Sequence, residues 1–278
     1  MVYIIIFLVI VFVAVFIYLQ NNIIVTEGHF INYDMNNLKI VHLSDLHSKS
    51  YKNRLYEKVR KLSPDMIVVT GDLIDDDGRN IDEMISLMKR FAKLCKTVYI
   101  LGNHDHRLDT TPENIAKLMK ADADVLINEI KDYEINDSKI SILGLDEDQA
   151  SNADYKKRKE GKFTYKDNSK HFELLKQKDG FKICLTHYPE NFVAIGTNSY
   201  NQYDFDLMLC GHAHGGQFRL PFIGGLFSPG QGLFPKFCSG EFGTRPKMIV
   251  SRGLGNSRFP FRLFNFPQII VVNIGRNL

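Results

Sequence analysis

The chain is a succession of short apolar runs, most of which end in Asp, Asn or His. LKIVHLSDLH, DMIVVTGD, TVYILGNHD, ISILGLDED, FKICLTHYP, FDLMLCGHAH, KMIVSRG and QIIVVNI follow one another. Most are rich in Val, Ile and Leu, the composition of strands covered on both faces. Between the early runs lie helical patterns. Tyr51–Leu62 stops at Ser63-Pro64; Asn80–Cys95 carries Ile81, Met84, Ile85, Met88 and Phe91 on one stripe; Pro112–Met119 opens after Thr111, its expected N-cap. Strand–helix alternation predicts an α/β domain. The polar stretch Asp146–Lys170 reads as a surface excursion.

The N-terminus obeys a different rule. Val2–Leu19 is an unbroken run of 18 apolar or aromatic residues, and the first charge is Glu27. As a helix it would rise about 27 Å, close to the thickness of a bilayer's hydrocarbon core. No Lys or Arg precedes it and VFIYLQNN lacks small residues for cleavage, which disfavours a signal peptide. No polar face is present, which disfavours a core helix. The sequence therefore predicts a membrane anchor over residues 1–20, a polar linker over 21–37 and a catalytic domain over 38–278. The nearest basic residue is Lys39, so the charge bias that sets orientation has nothing to act on, and the side of the membrane stays open.

Bulk chemistry excludes some classes. A net charge of +3 in 278 residues is too mild for a nucleic-acid binder on charge alone. Cys95, Cys184, Cys210 and Cys238 are widely spaced, without a Cys-x-x-Cys, so neither a disulfide framework nor a thiolate metal site is expected. No protein partner is inferable.

The polar residues gather at the carboxyl ends of the runs, the edge where ligands bind in α/β sheets. Asp45 and His47 follow the first run, Asp72 the second, and Asn103, His104 and Asp105 the third; His187, then His212 and His214, follow later ones. Imidazoles with hard oxygens suit Zn, Mn, Fe or similar divalent ions. So many donors exceed one coordination sphere and suit two divalent ions. Asp72, whose carboxylate has two oxygens, is the best bridge.

SDLH (44–47), GD (71–72), GNHD (102–105), TH (186–187) and GHAH (211–214) resemble, in order, the motifs of the calcineurin-like metallophosphoesterase superfamily. The resemblance implies two facing mixed β-sheets flanked by helices. It also implies metal-activated water that hydrolyses a phosphodiester, phosphomonoester or pyrophosphate. Asp45, His47 and His214 would hold one metal, Asn103, His187 and His212 the other, with Asp72 bridging. His104 would act beside the leaving group, oriented by Asp105. GHAHGGQFRLP and the segment SRGLG to FRLFNFP further resemble a membrane-anchored bacterial branch, similar to hydrolases of UDP-2,3-diacylglucosamine.

Arg252, Arg258 and Arg262 are candidate phosphate contacts, because guanidinium pairs with phosphate bidentately. His42 is expected to be a packed histidine. Asp75, Asp76 and Asp77 precede a glycine and read as a solvated turn; Asp146 and Asp148 read as loop residues. Half of the 20 phenylalanines lie between Phe218 and Phe266 among Gly and Pro. They form either a self-packed loop or an apolar rim that meets acyl chains or the bilayer. Two alternatives accompany the phosphoesterase reading. A nuclease or nucleotide phosphodiesterase on the same scaffold would need a basic groove. A non-catalytic membrane-tethered module would not need Asn103, His104, His212 and His214 intact.

Overall fold

The computed structural model describes residues 2–147, 167–194, 199–256 and 259–276. Most of the expected excursion, including Asp148, and also Arg258, lie outside the described residues.

Two six-stranded mixed sheets face each other. The first runs β1 (Val25–Asn32), β16 (Gln268–Gly275), β2 (Leu38–Leu43), β3 (Met66–Thr70), β4 (Lys96–Ile100), β5 (Asp124–Val125). The second runs β14 (Gly240–Phe242), β15 (Lys247–Val250), β9 (Leu207–Cys210), β8 (Phe181–Leu185), β7 (Ser138–Gly144), β6 (Glu129–Ile135). Helices α2 (Asn53–Lys61), α3 (Ile81–Ala92) and α4 (Thr111–Met119) cover the outer face of the first sheet, and α5 (Ser169–Lys176) covers that of the second. This is the expected α/β architecture.

Strand parity divides the core. Leu38 and Ile40 of β2, with Met66 and Val68 of β3, turn inward to meet Ile183, Leu185, Leu207 and Leu209 of the opposite sheet. Val41, Leu43, Ile67 and Val69 turn outward onto Leu55, Val59, Met88 and Phe91 of the helices. Each such side chain removed from water contributes about 1.5–3 kcal/mol, before the entropy of ordering it. Cys184 and Cys210 are buried free thiols in the second outer layer. His42 is buried between the sheets with Nε2 2.7 Å from Thr70 Oγ1, and burial pushes its pKa down to about 3, so the ring is neutral.

Three local expectations change. The segment expected as a linker contains β1, which pairs in parallel with β16 from Val25↔Gln268 to Asn32↔Gly275. As an edge strand it alternates exposed Thr26, Gly28, Phe30 and Asn32 with covered Val25, Glu27, His29 and Ile31, so polar residues fall on both faces and the apolar signal is weak. Thr111 is the first residue of α4 instead of its cap, and its hydroxyl donates to the Leu108 carbonyl at 2.7 Å. The Phe-rich stretch forms two minimal hairpins, β10–β11 (Arg219–Leu220, Gly224–Gly225) and β12–β13 (Phe227–Ser228, Gly232–Leu233).

At the N-terminus, α1 (Val2–Asn22) is a single helix, apolar and long enough to cross a membrane, and no residue of its apolar window is buried.

Candidate metal centre

β2, β3 and β4 run parallel, and so do β7, β8 and β9. Their carboxyl ends therefore open on one edge of the sandwich, where the loops after β2, β3, β4, β8 and β9 meet. All seven expected donors lie there, and all are buried.

Their reactive atoms converge. His47 Nε2 lies 3.0 Å from His214 Nε2 and 3.4 Å from Asp72 Oδ2, and His214 Nε2 lies 3.4 Å from Asp45 Oδ1. On the other side of Asp72, Oδ2 lies 3.4 Å from His187 Nε2. His187 Nε2 in turn lies 3.2 Å from Asn103 Oδ1 and 3.2 Å from His212 Nδ1. Ligands about 2.1 Å from a shared ion, at tetrahedral or octahedral angles, stand about 3.0–3.4 Å apart. One oxygen, Asp72 Oδ2, faces both sets. The donor set thus fits two divalent cations.

The outer ring atoms of His187 and His47 agree. His187 Nδ1 lies 2.9 Å from the Thr70 carbonyl, which only accepts, so Nδ1 keeps a proton and Nε2 is the atom a cation can take once its own proton is displaced. His47 Nδ1 lies 3.2 Å from Asp75 Oδ1, with the same consequence. His214 Nδ1 faces the Arg262 guanidinium at 3.3 Å; burial, then His47 and Arg262, hold its pKa well below the usual value, so this ring is neutral. Because a guanidinium only donates, the proton of this ring sits on Nε2, and the tautomer must switch before Nε2 can bind a cation. Asp45 accepts the backbone N–H of His212 at 3.0 and 3.1 Å and the Ser44 hydroxyl at 2.5 Å. Burial nevertheless raises its pKa, against His187 and with Asp72. Asp45 and Asp72 offer oxygens within 4.8 Å of each other and of His187, negative charge that protonated histidines or bound cations would neutralise.

The loops are strained to achieve this. Asp45, His47, Asp72, His212 and His214 all have positive φ, between 45° and 64°. Each such residue costs about 1–3 kcal/mol and persists only where surrounding structure enforces it. Gly211 must be glycine for a different reason: a side chain there would run into Ser44 and the Asp45 carboxylate.

Asp105 does not orient His104, as the sequence implied. Its carboxylate accepts the backbone N–H groups of Asp72 (2.8 Å), Gly102 (2.8 Å) and Ile74 (3.0 Å), and so pins the Asp72 loop. Asp75, read from sequence as part of a solvated turn, takes that place. It is buried, and Oδ1 lies 2.9 Å from His104 Nδ1 as well as 3.2 Å from His47 Nδ1. Burial opposes its charge, but the His104 and His47 rings hold its pKa well below the carboxylate range. The spacing Asp72-x-x-Asp75 was the available signal.

The arginines also differ from expectation. Arg262 is fully buried, donating to the carbonyls of Gly255 and Arg252, and is not open to a phosphate. Arg252 is partly buried and points toward Glu27. Among the described residues the guanidinium beside His104 is Arg107, 3.2 Å from His104 Nε2 and 3.3 Å from Asp76 Oδ2; Arg107 and Asp76 are both partly exposed, which marks this side as the opening. His106 Nε2 lies 2.7 Å from Asp146 Oδ1.

Glu147 was missed entirely. It is buried and accepts the Thr186 and Tyr200 hydroxyls, the Asn191 amide and the backbone N–H groups of His187 and Tyr188. It fixes the loop that carries His187. Glu147→Ala strips those donors of their shared acceptor and is expected to cost about 2–4 kcal/mol in urea denaturation. A loss within experimental error would show that the loop is held by other contacts.

His187 also sets a pH dependence. Burial disfavours an imidazolium there, but Asp72, Asp45 and the Thr70 carbonyl outweigh it and raise the pKa from 6.5 to about 10. In the metal-free protein this pairing contributes stability that is full below pH 6.5 and lost as pH rises through about 10. A cation must displace that proton. Its affinity is therefore expected to rise between roughly pH 6 and 9, with proton release visible by calorimetry in buffers of different ionisation enthalpy. A pH-independent affinity would contradict this.

A family model described as calcineurin-like phosphoesterase matches residues 38–216. The chain belongs to the calcineurin-like phosphoesterases. It is similar to YkuE of Bacillus subtilis (strain 168), called an uncharacterized metallophosphoesterase: 32% identical over 275 residues, 92% of this chain and 87% of that one. It is 25% identical to the phosphodiesterase YaeI of Escherichia coli (strain K12), over 85% of this chain and 82% of that one. A transmembrane protein with a metallophosphoesterase domain from Bos taurus is 26% identical over 74% of this chain and 49% of its own length. As a calcineurin-like phosphoesterase the chain is a metal-dependent hydrolase, which removes the non-catalytic alternative.

Proposed function

We propose that this phosphoesterase is held in a membrane by α1 and hydrolyses a lipid-linked phosphoester, with a diester foremost. The observation that carries the chemistry is Asp72 Oδ2, within 3.4 Å of both His47 Nε2 and His187 Nε2. Asp45, His47 and His214 would hold one cation, Asn103, His187 and His212 the other, and Asp72 would serve both. Bound there, two divalent ions supply Lewis acidity and an activated water at neutral pH. Mn, Zn and Fe all suit these donors.

The remaining steps belong to the protein. Arg107 stands at the opening, where it can pair with a phosphoryl oxygen. His104, its Nδ1 beside Asp75, presents Nε2 to the opening and exchanges a proton with the leaving oxygen. Diester hydrolysis is favoured because YaeI is called a phosphodiesterase. A lipid-linked substrate is favoured by the exposed helix α1 and by exposed Phe222, Phe227, Phe234, Phe259 and Phe264. The branch resemblance in GHAHGGQFRLP points the same way.

Purified protein loaded with Mn²⁺ is expected to hydrolyse bis-p-nitrophenyl phosphate, to stop on chelation, and to cleave phospholipids in vesicles faster than water-soluble phosphoesters. Absence of chelator-sensitive turnover would refute the phosphoesterase reading. Equal rates on lipid and soluble esters would refute only the substrate class.

A further inference from the structure

We propose that Phe264 and Phe222, on the loops beyond the metal centre, enter the same bilayer leaflet that α1 crosses, so that the opening of the site is held at headgroup depth. This rests on the reading of α1 as a membrane span. The occupant of the exposed aromatic face is thus the lipid bilayer.

The helix is not a loose tether. Its apolar body is exposed, but Gln20 and Asn21 at its C-terminal end are buried in the domain. Asn21 Oδ1 accepts the Arg262 N–H at 2.9 Å and the Asn256 amide at 3.1 Å. Lys49 Nζ donates to the Asn21 carbonyl at 2.5 Å, and Lys58 Nζ to that of Ile24. Cations on the last carbonyls suit the negative end of a helix. Arg262 continues inward to His214 Nδ1, at 3.3 Å. The anchor and the metal centre therefore share one set of contacts and move together.

Phe264 gives the depth. Its ring packs edge-on against Phe16, centroids 5.6 Å apart, and 48% of the residue remains exposed. Phe16 precedes Asn21 by five residues, about 7.5 Å farther along the helix axis and inside the apolar run. With α1 inserted, Phe264 lies as deep as Phe16. The face continues from there. Leu263 bridges Phe218, and Arg219 N–H donates to the Leu263 carbonyl at 3.0 Å, which fixes the β10–β11 hairpin beside this segment. Phe222 and Ile223 stand exposed at its tip, a few residues beyond GHAHGG. Phe222 and Phe264 have φ of 68° and 52°, unfavourable for bulky residues. Lipid contact gives these strained, outward rings something to bury.

The chain contains no tryptophan, so single tryptophans report without background. The full chain would be reconstituted in phosphatidylcholine–phosphatidylglycerol vesicles with brominated acyl chains, carrying F12W, F264W, F222W or L174W. Leu174 is an exposed residue of α5, on the far layer. Loss of emission is expected for F12W, F264W and F222W, and none for L174W. Adding Asn21→Ala is expected to relieve quenching at 222 but not at 12. Quenching at 12 with none at 264 and 222 would overturn the proposal and leave the membrane helix intact. No quenching at 12 would overturn both. A blue shift at 222 without bromolipid quenching would assign the face to a second copy of the chain and overturn the proposal. None of these readouts depends on phosphoesterase activity.

Discussion

Replacing Asp72 with alanine is expected to lower chelator-sensitive diester hydrolysis by about 10³-fold or more and to reduce bound metal from two ions per chain to one or none. The reason is geometric. Oδ2 is the one oxygen that faces both histidine sets, 3.4 Å from His47 Nε2 and from His187 Nε2. Oδ1 accepts the backbone N–H of His104 at 2.8 Å, so the same side chain also positions the loop after β4. Burial works against its charge, yet His187 and His47 hold its pKa well below the usual carboxylate value. The carboxylate is therefore ionised and ready to bind at any physiological pH. Asp72→Asn keeps the shape and the loop contact but removes the charge; it is expected to lose metal nearly as completely. Metal content by elemental analysis, with circular dichroism as the folding control, separates the effects. Two retained ions and an unchanged rate in either variant would remove Asp72 from the bridging position.

His104→Asn should behave differently: metal content unchanged, turnover down about 10²- to 10⁴-fold. A ring nitrogen of His104 comes within 4.8 Å of ligand atoms of His47 and Asp72, but the seven donors assigned to the two cations do not include it, so its loss is expected to leave the centre filled. The loss should be smaller for p-nitrophenyl esters, whose leaving group departs without a proton, than for alkyl esters. Equal losses on both would argue that His104 only binds phosphate. Asp75→Asn touches both functions, because Oδ1 lies 3.2 Å from His47 Nδ1 and 2.9 Å from His104 Nδ1. It is expected to weaken metal binding about 10- to 100-fold and to slow turnover as well.

The donors were legible because parallel strands deliver their carboxyl ends to one edge, and the sequence shows where apolar runs stop. That rule gathers Asp45, His47, Asp72, Asn103, His104, Asp105, His187, His212 and His214 at one edge; dividing them into metal donors and others rests on the motif resemblance. Their supporting residues were not legible. Asp75 sits among consecutive acids before a glycine, a pattern that turns share, and only the fold aims it at two histidines. Glu147 lies beyond a strand end with no motif around it; its partners come from residues 186–200. Arg262 is read from sequence as a phosphate contact because a sequence cannot show that a guanidinium satisfies buried carbonyls. Asp105 is assigned to His104 by the motif resemblance, whereas the turn after β4 directs its carboxylate back to the Asp72 loop. β1 escaped because an edge strand with polar residues on both faces looks like a linker. The phenylalanines divide, Phe237 and Phe242 packing on the second sheet while Phe222 and Phe264 face outward. Composition alone could not separate them.

The central claim is that two cations share Asp72 and act together. Metal-free protein titrated with Mn²⁺, followed by electron paramagnetic resonance and diester hydrolysis in the same samples, tests it most directly. An exchange-coupled Mn–Mn spectrum should appear with the second equivalent, and activity should rise with it. Activity that saturates at one equivalent, with an uncoupled mononuclear spectrum throughout, would contradict a shared two-metal centre.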